Sequence, residues 1–194
     1  ENKLLLNFLS AFGKSHMIII ALELIFEQCD FCFVLVSSME LAGQLVEKFQ
    51  TCHATSTFAL KNMTSFSNTK LKAQLSDPVT IASFKRDRVV PIIFHRTFEE
   101  TSARLNLQNA GGIYDEVHNY LHLVCKALRV CIGLSARKDD ALDASFDHNS
   151  LQLNDSDLAK MHKTAFVPKI VVRLDARAED DEVREFVNMF DSSE

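Results

Sequence analysis

Short apolar runs alternate with segments of helical apolar spacing along most of this chain, and this alternation restricts the fold more than any other feature. The expected strands are residues 3–8, 31–36, 79–84, 89–94, a strand that ends at 113–115, and 130–134. The expected helices are residues 16–27, 39–50, 98–107 and 117–128. Because helical crossovers join parallel strands, this order predicts an α/β fold with a mainly parallel sheet and helices on both faces. Ligands of such folds bind at the carboxyl ends of the strands.

Composition is consistent with one globular domain of ordinary size. The 194 residues are 47% apolar and 24% charged, which allows a real core. The net charge of −5 argues against a protein that binds nucleic acid through its overall charge, but it is compatible with a local basic strip.

The cysteines indicate a reducing, intracellular compartment, either cytoplasm or nucleus. Their number is odd, and most lie in apolar runs: Cys29, Cys32, Cys52, Cys125 and Cys131. Cys29 and Cys32 form a single CxxC, for which buried thiols are the favoured interpretation and a zinc half-site or redox pair the alternative. No apolar stretch reaches the roughly 18 residues of a membrane span, and we expect neither a span nor a signal peptide.

The remaining segments carry weaker signals. Residues 51–77 are polar and are assigned no helix or strand, and residues 138–157 are acidic and expected to be loop. A late strand is expected at 167–174. We divide the chain into a domain at 1–175 and a charged C-terminal helix or linker at 176–194, where apolar residues recur at helical spacing.

Gly13, Lys14 and Ser15 stand where an apolar helix begins. In a phosphate-binding loop the helix N-terminus and its N–H groups hold phosphate, the Lys neutralises phosphate oxygens, and the Ser hydroxyl binds Mg²⁺. The full pattern needs glycine where Phe8 stands, and the shorter Gly-x-Gly-Lys-Ser form needs glycine where Ala11 stands. A Cβ at Ala11 is expected to weaken or abolish nucleotide binding, because glycine allows the phosphate to approach closely.

Two adjacent carboxylates follow the apolar residues of the segment 112–118. Asp115, at the end of a buried strand, can hold Mg²⁺ through water, and Glu116 can orient or deprotonate an attacking water. His118 follows two residues later. His118 and His122 are also spaced to bind a metal on a helix, but no third ligand is evident nearby.

These signals, followed by Ser135 and Ala136 after an apolar run, resemble the first RecA-like motor domain of a superfamily 2 DExH-type helicase. The resemblance implies a three-layer P-loop NTPase domain, ATP and Mg²⁺ as cofactors, catalytic roles for Asp115, Glu116 and His118, and coupling to nucleic acid through Ser135 and Ala136. Arg137 replaces the usual Thr of the last motif. The segment 138–143 is similar to the tail found in TFIIH-type, phage and large-DNA-virus helicases, which suggests a viral protein.

Two further stretches resemble motifs that face nucleic acid in this family. Residues 34–42 have the form of the first motif, although Met39 stands where Arg is common, and residues 80–84 resemble the second. A dense basic patch at 85–88 follows the second stretch. The expected contacts with DNA or RNA are Ser37, Ser38, Ser83, Lys85 and Arg86.

Three hypotheses stay open. The first is an ATP-binding helicase or translocase lobe that needs a second RecA-like lobe, in the same gene product or in a partner. No membrane partner is expected for it. The second is a degenerate helicase-like domain that acts as a scaffold or interaction module, which Ala11 and Arg137 favour. The third is an unrelated phosphate-binding protein such as a small kinase, against which Glu116 and Ser135 argue.

Overall fold

A computed structural model of the chain describes residues 3–7, 14–52, 57–102, 107–124, 128–137 and 140–152. Its strands are β1 (Lys3–Asn7), β2 (Phe31–Val36), β3 (Ala59–Asn62), β4 (Val89–Phe94), β5 (Ala110–Asp115), β6 (Val130–Ser135) and β7 (Ser150–Gln152). Its helices are α1 (Lys14–Phe26), α2 (Met39–Cys52), α3 (Asn68–Ser76), α4 (Pro78–Arg86), α5 (His95–Ser102) and α6 (Asp140–Ser145).

The strands form one sheet in the order β3-β4-β2-β5-β6-β1-β7, and every pairing is parallel. Helices α1 and α2 cover one face, and α3, α4, α5 and α6 contribute to the core on the other face. Both faces of the sheet are buried, as β2 shows. Phe33 and Leu35 pack in the core on one face, and Val34 packs in the core on the other. The prediction of a three-layer α/β domain with a parallel sheet is therefore confirmed.

The predicted strand over 79–84 is wrong, because these residues belong to α4. Asp77 caps the helix: its carboxylate accepts from the Val79 and Thr80 amides at 3.2 and 3.0 Å. Pro78 occupies the first turn, where its missing N–H is harmless. Val79 is 76% exposed and Phe84 is buried, as expected for one face of a helix.

Two polar segments contain helices and strands that their composition does not predict. Residues 51–77, to which no helix or strand was assigned, contain the edge strand β3 and the helix α3, which Ser67 caps through its side chain. The expected loop at 138–157 contains α6 and the opposite edge strand β7. Edge strands and covering helices bury fewer side chains, so their apolar pattern is weak.

The predicted helix over 117–128 is replaced, as far as Val124, by two 3₁₀ turns, Val117–Asn119 and Leu121–Leu123. Tyr120 separates them with φ −153°, and its hydroxyl bonds to backbone carbonyl oxygens instead of solvent. Burial of this ring therefore overrides the helical spacing.

Several predictions lie outside the described residues. They are the roles of Ala11 and Gly13, the late strand at 167–174, and the domain boundary at 175 with its terminal helix or linker. Cys29, Cys32 and Cys131 are buried. Within the described ranges, none of the helices has the length and apolar character needed to cross a membrane.

Candidate nucleotide site

The carboxyl ends of three neighbouring strands bring the predicted site residues together. Strand β6 lies between β1 and β5, and the registers Asn7↔Ser135 and Asp115↔Leu134 place these strand ends side by side. The helix α1 begins at Lys14, after the end of β1. Lys14, Asp115 and Ser135 therefore lie at one edge of the sheet, as the alternating pattern predicts.

Lys14 forms an ion pair with Glu116, which is 102 positions away in the sequence. The two side chains are only 13% and 22% exposed, so water screens this pair less than a surface ion pair. Burial lowers the pKa of Lys14 below its ordinary value, and the negative charge of Asp115 opposes this shift. The backbone of Glu116 is left-handed (φ 54°, ψ 46°), a conformation that non-glycine residues adopt mostly where the surrounding structure enforces it.

Asp115 carries a buried carboxylate oxygen, Oδ1, that has no hydrogen-bond partner among the described residues. Burial raises the pKa of Asp115, and the positive charge of Lys14 opposes this shift. A buried carboxylate oxygen without a partner is unfavourable unless an ion or water satisfies it. Ser15 supplies a hydroxyl one residue after Lys14.

The residues present fit Mg²⁺ bound together with a nucleotide. No group of three His, Cys, Asp or Glu side chains suited to a metal occurs in the part of the chain that the structure describes. Mg²⁺ in nucleotide sites needs only one or two protein ligands, because phosphate oxygens and water complete its shell. Asp115 and Ser15 match that requirement.

His118 links the Glu116 turn to the end of β6. Its Nδ1 lies 2.9 Å from the Ser135 hydroxyl oxygen and 3.5 Å from Glu116 Oε2. The Ser135 hydroxyl donates to the Arg137 carbonyl at 3.1 Å and accepts from the Arg137 amide at 3.0 Å. Because that hydroxyl has a single hydrogen, His118 Nδ1–H is the donor in the remaining bond. Ala136, the residue after Ser135, is half-buried.

His122 does not join His118. Its Nε2 lies 3.0 Å from Glu99 Oε1 on an exposed surface, because the two residues sit on separate 3₁₀ turns instead of one helix.

A solved structure shares this architecture. The crystal structure of the Hef helicase domain from Pyrococcus furiosus matches 82% of this chain with a TM-score of 0.58 and 16% sequence identity. The chain has a RecA-like fold. The matched region is 37% of the Hef chain, so this chain spans well under half of that protein. No protein-family profile matches the chain, and no curated protein sequence matches it. The closer resemblance to TFIIH-type, phage and viral helicases stays a prediction.

Ser37 and Ser38 lie at the same edge of the RecA-like sheet, because they follow β2, the neighbour of β5. The Ser38 hydroxyl oxygen accepts the Leu41 amide at 3.2 Å and so caps α2. A hydroxyl that accepts through its oxygen can also donate its hydrogen.

The other predicted nucleic-acid contacts lie at the opposite edge. The helix α4 leads back to the start of β4, so its last turn, with Lys85 and Arg86, is near the amino ends of the strands. Lys85 pairs with Asp30, just before β2. The Ser83 hydroxyl donates to the Thr80 carbonyl within α4 at 2.8 Å. The expectation that this patch follows the end of a strand is wrong, because residues 79–84 belong to a helix. A nucleic-acid role for these residues stays a prediction.

Tyr120 and His95 were not among the predicted site residues. Tyr120 is 1% exposed, and its ring stacks on His95 with a centroid distance of 4.9 Å. The sequence carried one signal: the only two tyrosines of the chain, Tyr114 and Tyr120, flank the Asp115–Glu116 pair. A buried tyrosine needs a hydrogen-bond partner, and both hydroxyls donate to backbone carbonyl oxygens in the structure.

Proposed function

We propose that the chain is the ATP-binding lobe of an NTP-dependent helicase or translocase that acts on DNA or RNA. The observation that carries this proposal is the meeting of Lys14, Asp115 and Glu116 at the carboxyl edge of a RecA-like sheet. A buried cation beside two carboxylates at a helix start is the arrangement expected of a site for a magnesium nucleotide.

Each side chain has a role in this proposal. Lys14, once released from Glu116, would bind the terminal phosphates, and Asp115 and Ser15 would hold Mg²⁺, which would neutralise developing phosphate charge. Glu116, once released, orients the attacking water. His118 and Ser135, joined at 2.9 Å, transmit the position of the Glu116 turn to the end of β6.

A second RecA-like lobe, in the same protein or in a partner, belongs to this proposal. Phosphoryl transfer of this kind needs an arginine that stabilises the transferred charge, and translocation needs two bodies that close and open. We expect nucleic acid to contact Ser37 and Ser38, which share the edge of the nucleotide site.

A catalytically degenerate scaffold is the second candidate, and one observation favours it. Lys14 and Glu116 neutralise each other, so this part of the site is electrostatically satisfied without a nucleotide. In that case the ion pair is a structural link between α1 and the turn after β5.

Calorimetry with magnesium ATP separates the two candidates. We expect weak binding by the full chain, and Lys14→Ala should weaken it about 10- to 150-fold, which corresponds to about 1.5–3 kcal/mol for a charge-assisted phosphate contact. Glu116→Gln is the matched variant: it releases Lys14 from its ion pair without removing it, so binding should be at least as tight as in the wild type. Absence of heat at millimolar ATP in both the wild type and Glu116→Gln would favour the scaffold.

A further inference from the structure

Tyr120 links the end of β5 to the end of β2. Its hydroxyl lies 3.1 Å from the Leu35 carbonyl oxygen and also contacts the Asp115 carbonyl oxygen. The β2–β5 ladder ends at the pair Leu35↔Tyr114, so the hydroxyl adds a link beyond the last paired residues. A phenol has a single hydrogen to donate, so the two carbonyl groups share it or compete for it.

His95 stacks on the Tyr120 ring and so supports this link. The two rings are nearly parallel, with an interplanar angle of 11°. His95 Nδ1 lies 3.3 Å from the Val36 carbonyl oxygen, which can only accept, so this nitrogen carries the hydrogen. Burial lowers the pKa of His95, which favours the neutral ring in this arrangement. Tyr120 and His95 together hold the last two residues of β2.

The two elements that Tyr120 joins carry different halves of the proposed site. The Asp115 carbonyl belongs to the peptide bond that precedes Glu116, so a movement of the Glu116 backbone that accompanies release of Lys14 would shift one acceptor of the hydroxyl. The other acceptor, on Leu35, lies one residue before Val36, after which Ser37 and Ser38 follow. A change at the first acceptor therefore alters how firmly the second is held.

We propose that Tyr120 is a positioning residue that couples nucleotide binding at Lys14 to nucleic-acid binding at the Ser37–Ser38 loop, an inference that rests on the proposed function. Tyr120 is buried and acts only through backbone carbonyl groups. Nucleotide shifts the hydroxyl hydrogen between Asp115 and Leu35, and the end of β2 moves with it. Coupling of this kind is reciprocal, so nucleic acid changes nucleotide affinity by the same factor.

The test measures the affinity of the full chain for magnesium ATP with and without a single-stranded oligonucleotide, first DNA and then RNA. Tyr120→Phe keeps the ring and removes the hydroxyl. Tyr114→Phe is the matched control, because its buried hydroxyl also donates to a backbone carbonyl, that of Leu123 at 3.1 Å. We expect nucleic acid to change nucleotide affinity about fivefold or more in the wild type and Tyr114→Phe, and less than about twofold in Tyr120→Phe.

A second measurement needs no ligand. The amides of Asn119 and Tyr120 donate to the Glu116 and Val117 carbonyl oxygens at 3.0 Å, and their hydrogen exchange can be followed by NMR. Loss of the Tyr120 hydroxyl should accelerate this exchange about fivefold relative to Tyr114→Phe, the effect of losing one buried hydrogen bond.

Three results would overturn the inference. Unchanged coupling in Tyr120→Phe, or equal loss of coupling in Tyr114→Phe, shows that the Tyr120 hydroxyl is not the link. A wild-type chain that binds neither ligand rejects the coupling together with the proposed function. In that event the exchange rates still decide whether Tyr120 positions the turn, and equal rates in the two variants reject that role as well.

Discussion

Replacement of Gly112 by Ala should destabilise the domain by overpacking the core beneath the site. An added Cβ would lie 2.8 Å from Phe33 Cζ, 2.9 Å from Leu128 Cδ1 and 3.0 Å from Tyr114 Cε2. All three neighbours are buried, with exposures of 0%, 1% and 0%, so none can swing into solvent. Extra atoms in a well-packed core cost about 1–3 kcal/mol, because side chains or backbone must shift.

Gly43→Ala is the matched control for this prediction. Gly43 lies within α2, and an added Cβ there meets no atom within 4 Å. The same chemical change should therefore stabilise, by up to about 1 kcal/mol, because Ala is the better helix former. In thermal denaturation followed by circular dichroism, 1 kcal/mol corresponds to about 2–4 °C for a chain of this size. We expect Gly112→Ala to lower the midpoint by about 2–12 °C. Gly43→Ala should raise it by at most about 2–4 °C. A midpoint for Gly112→Ala equal to the wild type, with Gly43→Ala raised as expected, would refute the packing around β5.

Further predictions concern the charged and polar residues. Because burial raises the pKa of Asp115, ionisation of this carboxyl opposes folding, and stability falls as pH rises from its ordinary value of 3.8 toward the raised value. Asp115→Asn should therefore raise the thermal midpoint at pH 7, have little effect on it below about pH 4, and abolish Mg²⁺-dependent nucleotide binding. Ser135→Ala should cost about 1–3 kcal/mol in urea denaturation, because His118 Nδ1–H and the Arg137 amide lose their acceptor; a loss below about 0.5 kcal/mol would contradict this. For nucleic acid we expect a slope of log affinity against log salt of about −2 to −4. If Lys85 and Arg86 contact phosphate, replacing both by Ala should make this salt slope shallower. Nucleotide binding at the opposite edge should not change. An unchanged salt slope would exclude the two residues as contacts.

The sequence was informative where burial is complete. The run Phe31–Val36 is buried at every position, so its apolar character alone defined β2. The strand ending at Asp115 and the start of α1 near Lys14 had equally clear patterns, and parallel pairing then required their ends to meet. The Lys14, Asp115 and Ser135 edge of the site was predictable for this reason.

The sequence was misleading where a local signal competed with the apolar pattern. Val79 and Ile81 suggested a strand, but Asp77 and Pro78 form the start of a helix there. The basic patch at the end of this helix therefore lies at the amino edge of the sheet, near Asp30. Tyr120 interrupts a helical pattern because its hydroxyl bonds to the distant Leu35 carbonyl, and no local periodicity reports such a contact. The pairing of Lys14 with Glu116, instead of Asp115, depends on the left-handed turn at Glu116 and was equally inaccessible.

The most direct test of the proposed nucleotide site is a crystal structure of the full chain grown with Mg²⁺ and a non-hydrolysable ATP analogue. We predict that Lys14 Nζ leaves Glu116 and lies within about 3 Å of a terminal phosphate oxygen, with the metal beside Asp115 and Ser15. A nucleotide bound elsewhere on the domain, or a Lys14–Glu116 ion pair that persists beside bound nucleotide, would contradict the account.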